Sequence, residues 1–158
     1  ATVILFEEQL PADLLDADLG IKADIWSCPS FTELARDGVD AERWNRFHPE
    51  AKAPRKAWVT QQLEGRAGPA IAATDYVRTF ANQVREYVPM RYIVVGTDGY
   101  GRSDTRANLR RHFEVDRYYI AHAALDALAK DGKMTAKDAA RAIKLYKLDQ
   151  EKPTPVSV

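Results

Sequence analysis

The chain has 158 residues, and its 23 Lys and Arg balance 23 Asp and Glu, so it carries no net charge at neutral pH. That length fits one domain, which buries roughly 70% of its unfolded surface. Neutrality leaves no long-range field to gather a polyanion or an anionic membrane, so generic nucleic-acid binding and membrane attachment are disfavoured. A single cysteine, Cys28, allows no internal disulfide and points to a reducing, cytoplasmic compartment. No apolar run reaches the length of a membrane span or resembles a signal peptide.

Residues 1–6 begin abruptly in apolar side chains without an initiator Met, which suggests a cut within something longer. Thr2 to Phe6 has strand propensity yet runs straight into Glu7, Glu8 and Gln9 with no turn residue, so either a first strand or the start of the first helix fits. Leu10, Leu14, Leu15 and Leu19 recur at helical spacing, with Pro11 tolerated in the first turn. A β-rich run at 21–28 follows. Ser30 and Glu33 form a capping box that opens a helix through about Arg36, before Gly38; a second short helix is expected over 40–47, ended by His48 and Pro49. Residues 58–63 form another helical turn, closed by Gly65.

A second β run covers 70–74. Asp75 is placed to cap a helix over 76–87, whose apolar face is Val77, Phe80, Ala81, Val84 and Val88, and Pro89 stops it. The third β run, 92–97, leads into the glycine-punctuated loop from Gly96 to Asp104. Helices are then expected over 105–113, 118–130 and 135–146, followed by a polar, proline-bearing tail. Strands alternating with helices argue for an α/β fold: three layers, with a mainly parallel open sheet between flanking helices. The domain is taken as residues 1–150 and the flexible tail as 151–158. So thin a sheet hints at a missing portion upstream.

The glycine loop is the candidate site, because α/β proteins place binding surface between a strand and the next helix. Its spacing fails three cofactor signatures. Gly99-Tyr100-Gly101-Arg102-Ser103-Asp104 has a carboxylate where a dinucleotide fingerprint needs its third glycine. No Gly-Lys-Ser/Thr is present for a P-loop. The Gly-Asp-Gly motif of thiamine-diphosphate enzymes is mimicked by Asp98-Gly99, but Thr97 precedes it and Asn108 follows too soon. The plain alternative is a tight strand–helix connection in which Ser103 or Asp104 caps the next helix.

Arg102, Arg106, Arg110, Arg111 and His112 form a basic cluster, and Arg106 and Arg110 share a helix face. That face could hold a phosphate or carboxylate, or enter ion pairs with Asp104, Glu114 and Asp116 or with a partner subunit. The histidines, His48, His112 and His122, are scattered, and no spacing matches a metal site. The serines lack a nucleophile elbow, and Cys28 ends a buried strand. Residue chemistry therefore offers no catalytic residue, no cofactor-binding residue and no metal ligand. The candidate interface or anion-contact residues are Asp98, Gly99, Tyr100, Gly101, Arg102, Ser103, Arg106 and Arg110.

Ser30 to Gly38, Glu42 to Asn45, Ala73 to Tyr76 and the stretch from Gly96 to Asp116 together resemble the homodimeric-type decarboxylating component of the pyruvate dehydrogenase complex. The resemblance covers roughly residues 10–150 and points to that family's last domain, the transketolase C-terminal-like domain, lacking its first strand. It implies a parent enzyme that decarboxylates pyruvate with thiamine diphosphate and magnesium and acetylates the lipoyl group of an acyltransferase. The cofactor is then held by preceding domains, and none is expected here. The implied partners are those domains, the homodimer partner subunit and the acyltransferase, with no nucleic acid and no membrane. Against this assembly domain stands an independent small-anion module using the loop from Gly99 to Ser103.

Overall fold

A computed structural model describes residues 1–6 and 10–158. Thr2–Phe6 is the first strand, β1, which settles the choice left open by the sequence. Its Val3, Ile4 and Leu5 are wholly buried, as an interior strand of β-branched and aliphatic residues requires. The other strands are β2 (Lys22–Trp26), β3 (Ala70–Ala73) and β4 (Tyr92–Val95). They form one sheet in the order β2-β1-β3-β4, every pair parallel. Ile4 lies opposite Ala70, and Ala72 opposite Val94.

Successive strand residues point to opposite faces, and the core divides accordingly. Val3, Leu5, Ile71 and Ala73 enter one cluster with side chains of α1 (Leu10–Leu19), α6 (Arg117–Lys130) and α7 (Ala136–Leu145). Ile4, Phe6, Ala70 and Ala72 enter the other, with α2 (Phe31–Phe47), α3 (Trp58–Leu63) and α4 (Arg78–Asn82). The expected three-layer α/β architecture is therefore present. The short α5 (Arg106–His112) has no buried residue.

Two helices depart from expectation. Ser30 caps the helix, its side chain accepting from the Glu33 N–H at 3.2 Å, while the Glu33 carboxylate pairs with Arg36 at 2.7 Å instead of closing the box, and α2 runs unbroken through Gly38. Gly38 is tolerated inside the helix because the Tyr87 ring lies where a Cβ would stand. The expected helix over 76–87 is instead the five-residue α4 and a 3-10 turn, Arg85–Tyr87. Asp75 does not cap it. The Asp75 and Tyr76 carbonyls accept from the Thr97 hydroxyl and N–H, both at 2.9 Å, so this stretch is drawn toward the loop after β4 and kept out of a helix. The last residues include a 3-10 turn, Pro155–Ser157, in which Pro155 is buried.

Candidate functional site

All four strands run the same way, so the loops after β3 and β4 emerge side by side at the carboxyl edge of the sheet, where open α/β sheets bind. Beyond the Thr97 bonds, the Asp98 carboxylate accepts from the backbone N–H of Arg78 at 3.1 Å and from its Nε at 2.7 Å. Asp98 is thus an internal tie between the two loops. Gly96 is required by close approach, since a Cβ there would meet the Tyr76 carbonyl oxygen at 2.7 Å. Gly99 combines a φ of +122° with contact against the Pro155 carbonyl, which lays the C-terminal turn on the loop. Nothing crowds Gly101.

Gly99, Tyr100, Gly101, Arg102, Arg106 and Arg110 line a cavity of about 530 Å³, together with Asp75 and Asp104. Asp98 lies instead in a small cavity of about 70 Å³ beneath the C-terminal turn, and Ser103 lines neither. Arg110 donates its Nε and Nη2 to the Val115 carbonyl at 3.2 and 2.9 Å, which anchors the guanidinium to the backbone. Arg102 and Arg106 are exposed and have no ion pair among the described residues. Tyr100 is 77% exposed.

The helix cap is neither Ser103 nor Asp104. Thr105 caps α5, accepting from the Asn108 N–H at 3.3 Å. Asp104 accepts from the Asn108 side-chain amide at 2.9 Å and from the Thr105 N–H, and these bonds hold its carboxyl below the usual range. His112 and His122 are both held below the ordinary imidazole value, chiefly by loss of water, with the charges of Arg102 and Lys152 adding to the effect at His112. His48 stacks on Trp44 with ring centroids 4.1 Å apart, in a packing role. Burial pushes Tyr146 up to about 12.

Among the described residues no group of three His, Cys, Asp or Glu side chains could hold a metal ion. Val77 and Phe80, expected on the apolar face of a helix over 76–87, are both exposed. The Phe80 ring meets the exposed Tyr76 edge-on, with centroids 6.1 Å apart. No local sequence signal marks that exposed aromatic pair, because it arises from the shortening of α4. Tyr100 was the one aromatic that its place inside the loop could reveal.

The profile of the transketolase-like TK C-terminal domain matches residues 9–116, more than half of the chain. The chain belongs to that family. It is 55% identical over 155 residues to the pyruvate dehydrogenase E1 component of Cupriavidus necator, a span of 98% of this chain and 17% of the relative. The corresponding protein of Pseudomonas aeruginosa is 52% identical over 97% of this chain and 17% of its own length. That of Escherichia coli is 50% identical over 91% and 16%. The chain spans about a sixth of the length of these relatives.

Within this TK C-terminal domain the family match includes both carboxyl-edge loops and α5. It stops at Asp116, the residue that caps α6 by accepting from the N–H groups of Tyr118 and Tyr119. The turn that packs against Gly99 lies beyond it. No helix among the described residues is long and apolar enough to cross a membrane.

Proposed function

We propose that this chain is the C-terminal assembly domain of a cytoplasmic pyruvate dehydrogenase, an oxidoreductase that decarboxylates pyruvate and acetylates the lipoyl group of the acyltransferase in its complex. The observation that carries this reading is identity of 55% and 52%, over nearly the whole chain, to proteins named pyruvate dehydrogenase E1 component. In this reading the domain buttresses the preceding domains and helps to build the homodimer. The contact surface is the loop from Asp98 to Ser103 with Arg106 and Arg110.

The parent's thiamine diphosphate and magnesium belong to the preceding domains, because the residues present here do not fit them. Asp98, the nearest mimic of the metal-holding aspartate, is committed to Arg78, and Asn108 donates to Asp104. No chemical step is therefore assigned to this domain. The independent small-anion module is not favoured: Arg110 is directed at the Val115 carbonyl, and Asp75 and Asp104 bring carboxylates to the same cavity.

The test is decarboxylation of pyruvate with added thiamine diphosphate and magnesium. The purified 158-residue chain is expected to release no carbon dioxide above background, and the protein at the length its gene encodes is expected to turn over as a dimer. Turnover by the short chain would refute the assembly reading. An inactive long protein would refute the parent's assignment.

A further inference from the structure

Residues 147–158 lie against the carboxyl end of α5 and are tied there at several points. Arg111 Nη2 donates to the Lys147 carbonyl. Lys152 Nζ donates to the His112 carbonyl and, at 3.0 Å, to the Glu114 carboxylate. The same ammonium stands 5.6 Å from the centre of the Tyr119 ring. Further along, Pro155 is buried with its carbonyl against Gly99, so the segment also braces the loop after β4. The Lys152 side chain is only 18% exposed. A cation so far out of water is held by its partners, which makes Lys152 the fastening point of this strap.

His112, whose carbonyl receives Lys152, is the last residue of α5. Its Nε2 is buried and has no hydrogen-bond partner among the described residues. An imidazolium carries an N–H on both ring nitrogens, so protonation would leave a charged donor there without solvent. The charges that face the ring come from three segments: Arg102 from the loop after β4, Lys152 from the strap and Glu114 just beyond α5. These are two cations against one carboxylate, and Lys152 already engages that carboxylate. Arg110 and Arg111, on the same helix, are directed at the Val115 and Lys147 carbonyls. Phe113 presents a ring at 78° to the imidazole, with no charge. The carboxyl end of a helix attracts a cation, but Lys152 holds that place.

We propose that residues 147–158 are an acid-released strap, fastened over α5 and the loop after β4 while His112 is neutral and lifted when His112 takes a proton. Lifting withdraws the Lys152 charge and lets water reach Nε2. The open form therefore binds a proton near the ordinary imidazole value, and the closed form binds it only at lower pH. The form that binds more protons gains as pH falls, so the strap is fully closed above about pH 6.5 and yields below it. Between about pH 7.5 and about pH 5.5 the opening constant rises by up to about tenfold, the change in neutral fraction of an ordinary imidazole. With the strap lifted, the loop after β4 loses the Pro155 contact at Gly99.

The experiment is amide hydrogen exchange read by mass spectrometry, on the protein at the length its gene encodes, at about pH 7.5 and about pH 5.5. Exchange in 147–158 is normalised to a synthetic peptide of the same residues, which removes the intrinsic pH dependence of the reaction. Protection of this segment is expected to be up to about tenfold lower at the acid pH, while β3 (Ala70–Ala73) stays protected at both. His112→Gln is expected to give equal protection at the two pH values. Lys152→Gln is expected to leave the segment unprotected at both, with β3 still protected. Arg102→Gln, an exposed change, is expected to shrink the pH effect, because one of the two cations facing the ring is gone. Equal protection of the unsubstituted protein at both pH values, an undiminished pH effect in His112→Gln, or loss of strap and β3 together overturns the proposal. If His112→Gln does not fold, a pH effect in Arg102→Gln as large as in the unsubstituted protein overturns it instead.

Discussion

Gly99 and Gly101 look alike in sequence, but only one is conformationally required. Gly99 holds a φ of +122° and a Cβ there would drive into the Pro155 carbonyl, whereas Gly101 has open space around it. Gly99→Ala is therefore expected to destabilise the domain by about 1–3 kcal/mol. Gly101→Ala is expected to range from neutral to about 1 kcal/mol stabilising, because the unfolded chain loses freedom while the native loop loses nothing. Urea unfolding of both variants checks the contrast, and equal losses would mean that the Pro155 contact is not made. A second residue-scale effect concerns acid. Desolvation holds His122 and His112 below 6.5, so near that pH the unfolded chain binds more protons than the native one. Stability is fully present above about pH 6.5 and falls as pH drops through the depressed native values. The urea midpoint should be lower at about pH 5.5 than at about pH 7.5, and His122→Gln should flatten the difference. The three glycines were visible in the sequence. Which of them mattered was not, because the deciding partner, Pro155, lies in another part of the chain.

At the scale of elements, local signals located the pieces and long-range contacts set their ends. The caps at Ser30 and Thr135 act within three residues, so helix starts are legible there. Gly38 looks like a stop because glycine is a poor helix former, but α2 continues through it with the Tyr87 ring packed where a Cβ would stand. The short α4 has the same kind of cause, in which Thr97 takes the carbonyls of Asp75 and Tyr76. The Gly38 explanation makes a signed prediction. Alone, Gly38→Ala is expected to cost about 1–3 kcal/mol as its methyl displaces the ring, despite better helix propensity. In a Tyr87→Ala background the same change should instead gain about 1 kcal/mol, since only propensity remains. A double-mutant cycle by urea unfolding measures the coupling. Additivity would remove the ring as the reason for the glycine.

For the whole molecule, the division of the core across the sheet was implicit in the pattern of short apolar strands separated by helices, and β1 shows why. Its consecutive side chains Val3, Ile4, Leu5 and Phe6 feed opposite clusters, which only a strand covered on both faces can do. The lacing at the carboxyl edge was not implicit, because it needs two loops and the C-terminal turn, far apart in sequence, to be brought together by that sheet. If the two clusters hold the fold, the surface charges do not. The ion pairs among the described residues sit largely in water: Lys22–Asp16, at 2.7 Å, has side chains 73% and 49% exposed. Lys152–Glu114 is tighter only on one side, at 18% and 41%. Exposed pairs contribute about 0–1 kcal/mol each and are screened by salt, and the neutral chain has no net repulsion for salt to relieve. Raising sodium chloride from about 0.05 to about 0.5 M is therefore expected to change unfolding free energy by less than about 1 kcal/mol. Leu125, wholly buried against the first cluster, should cost about 2–5 kcal/mol on truncation to Ala. Urea titrations of the parent chain at both salt concentrations and of Leu125→Ala give the two numbers side by side. A salt effect as large as the Leu125→Ala loss would place the stability in the surface pairs and remove the two-faced core as its source.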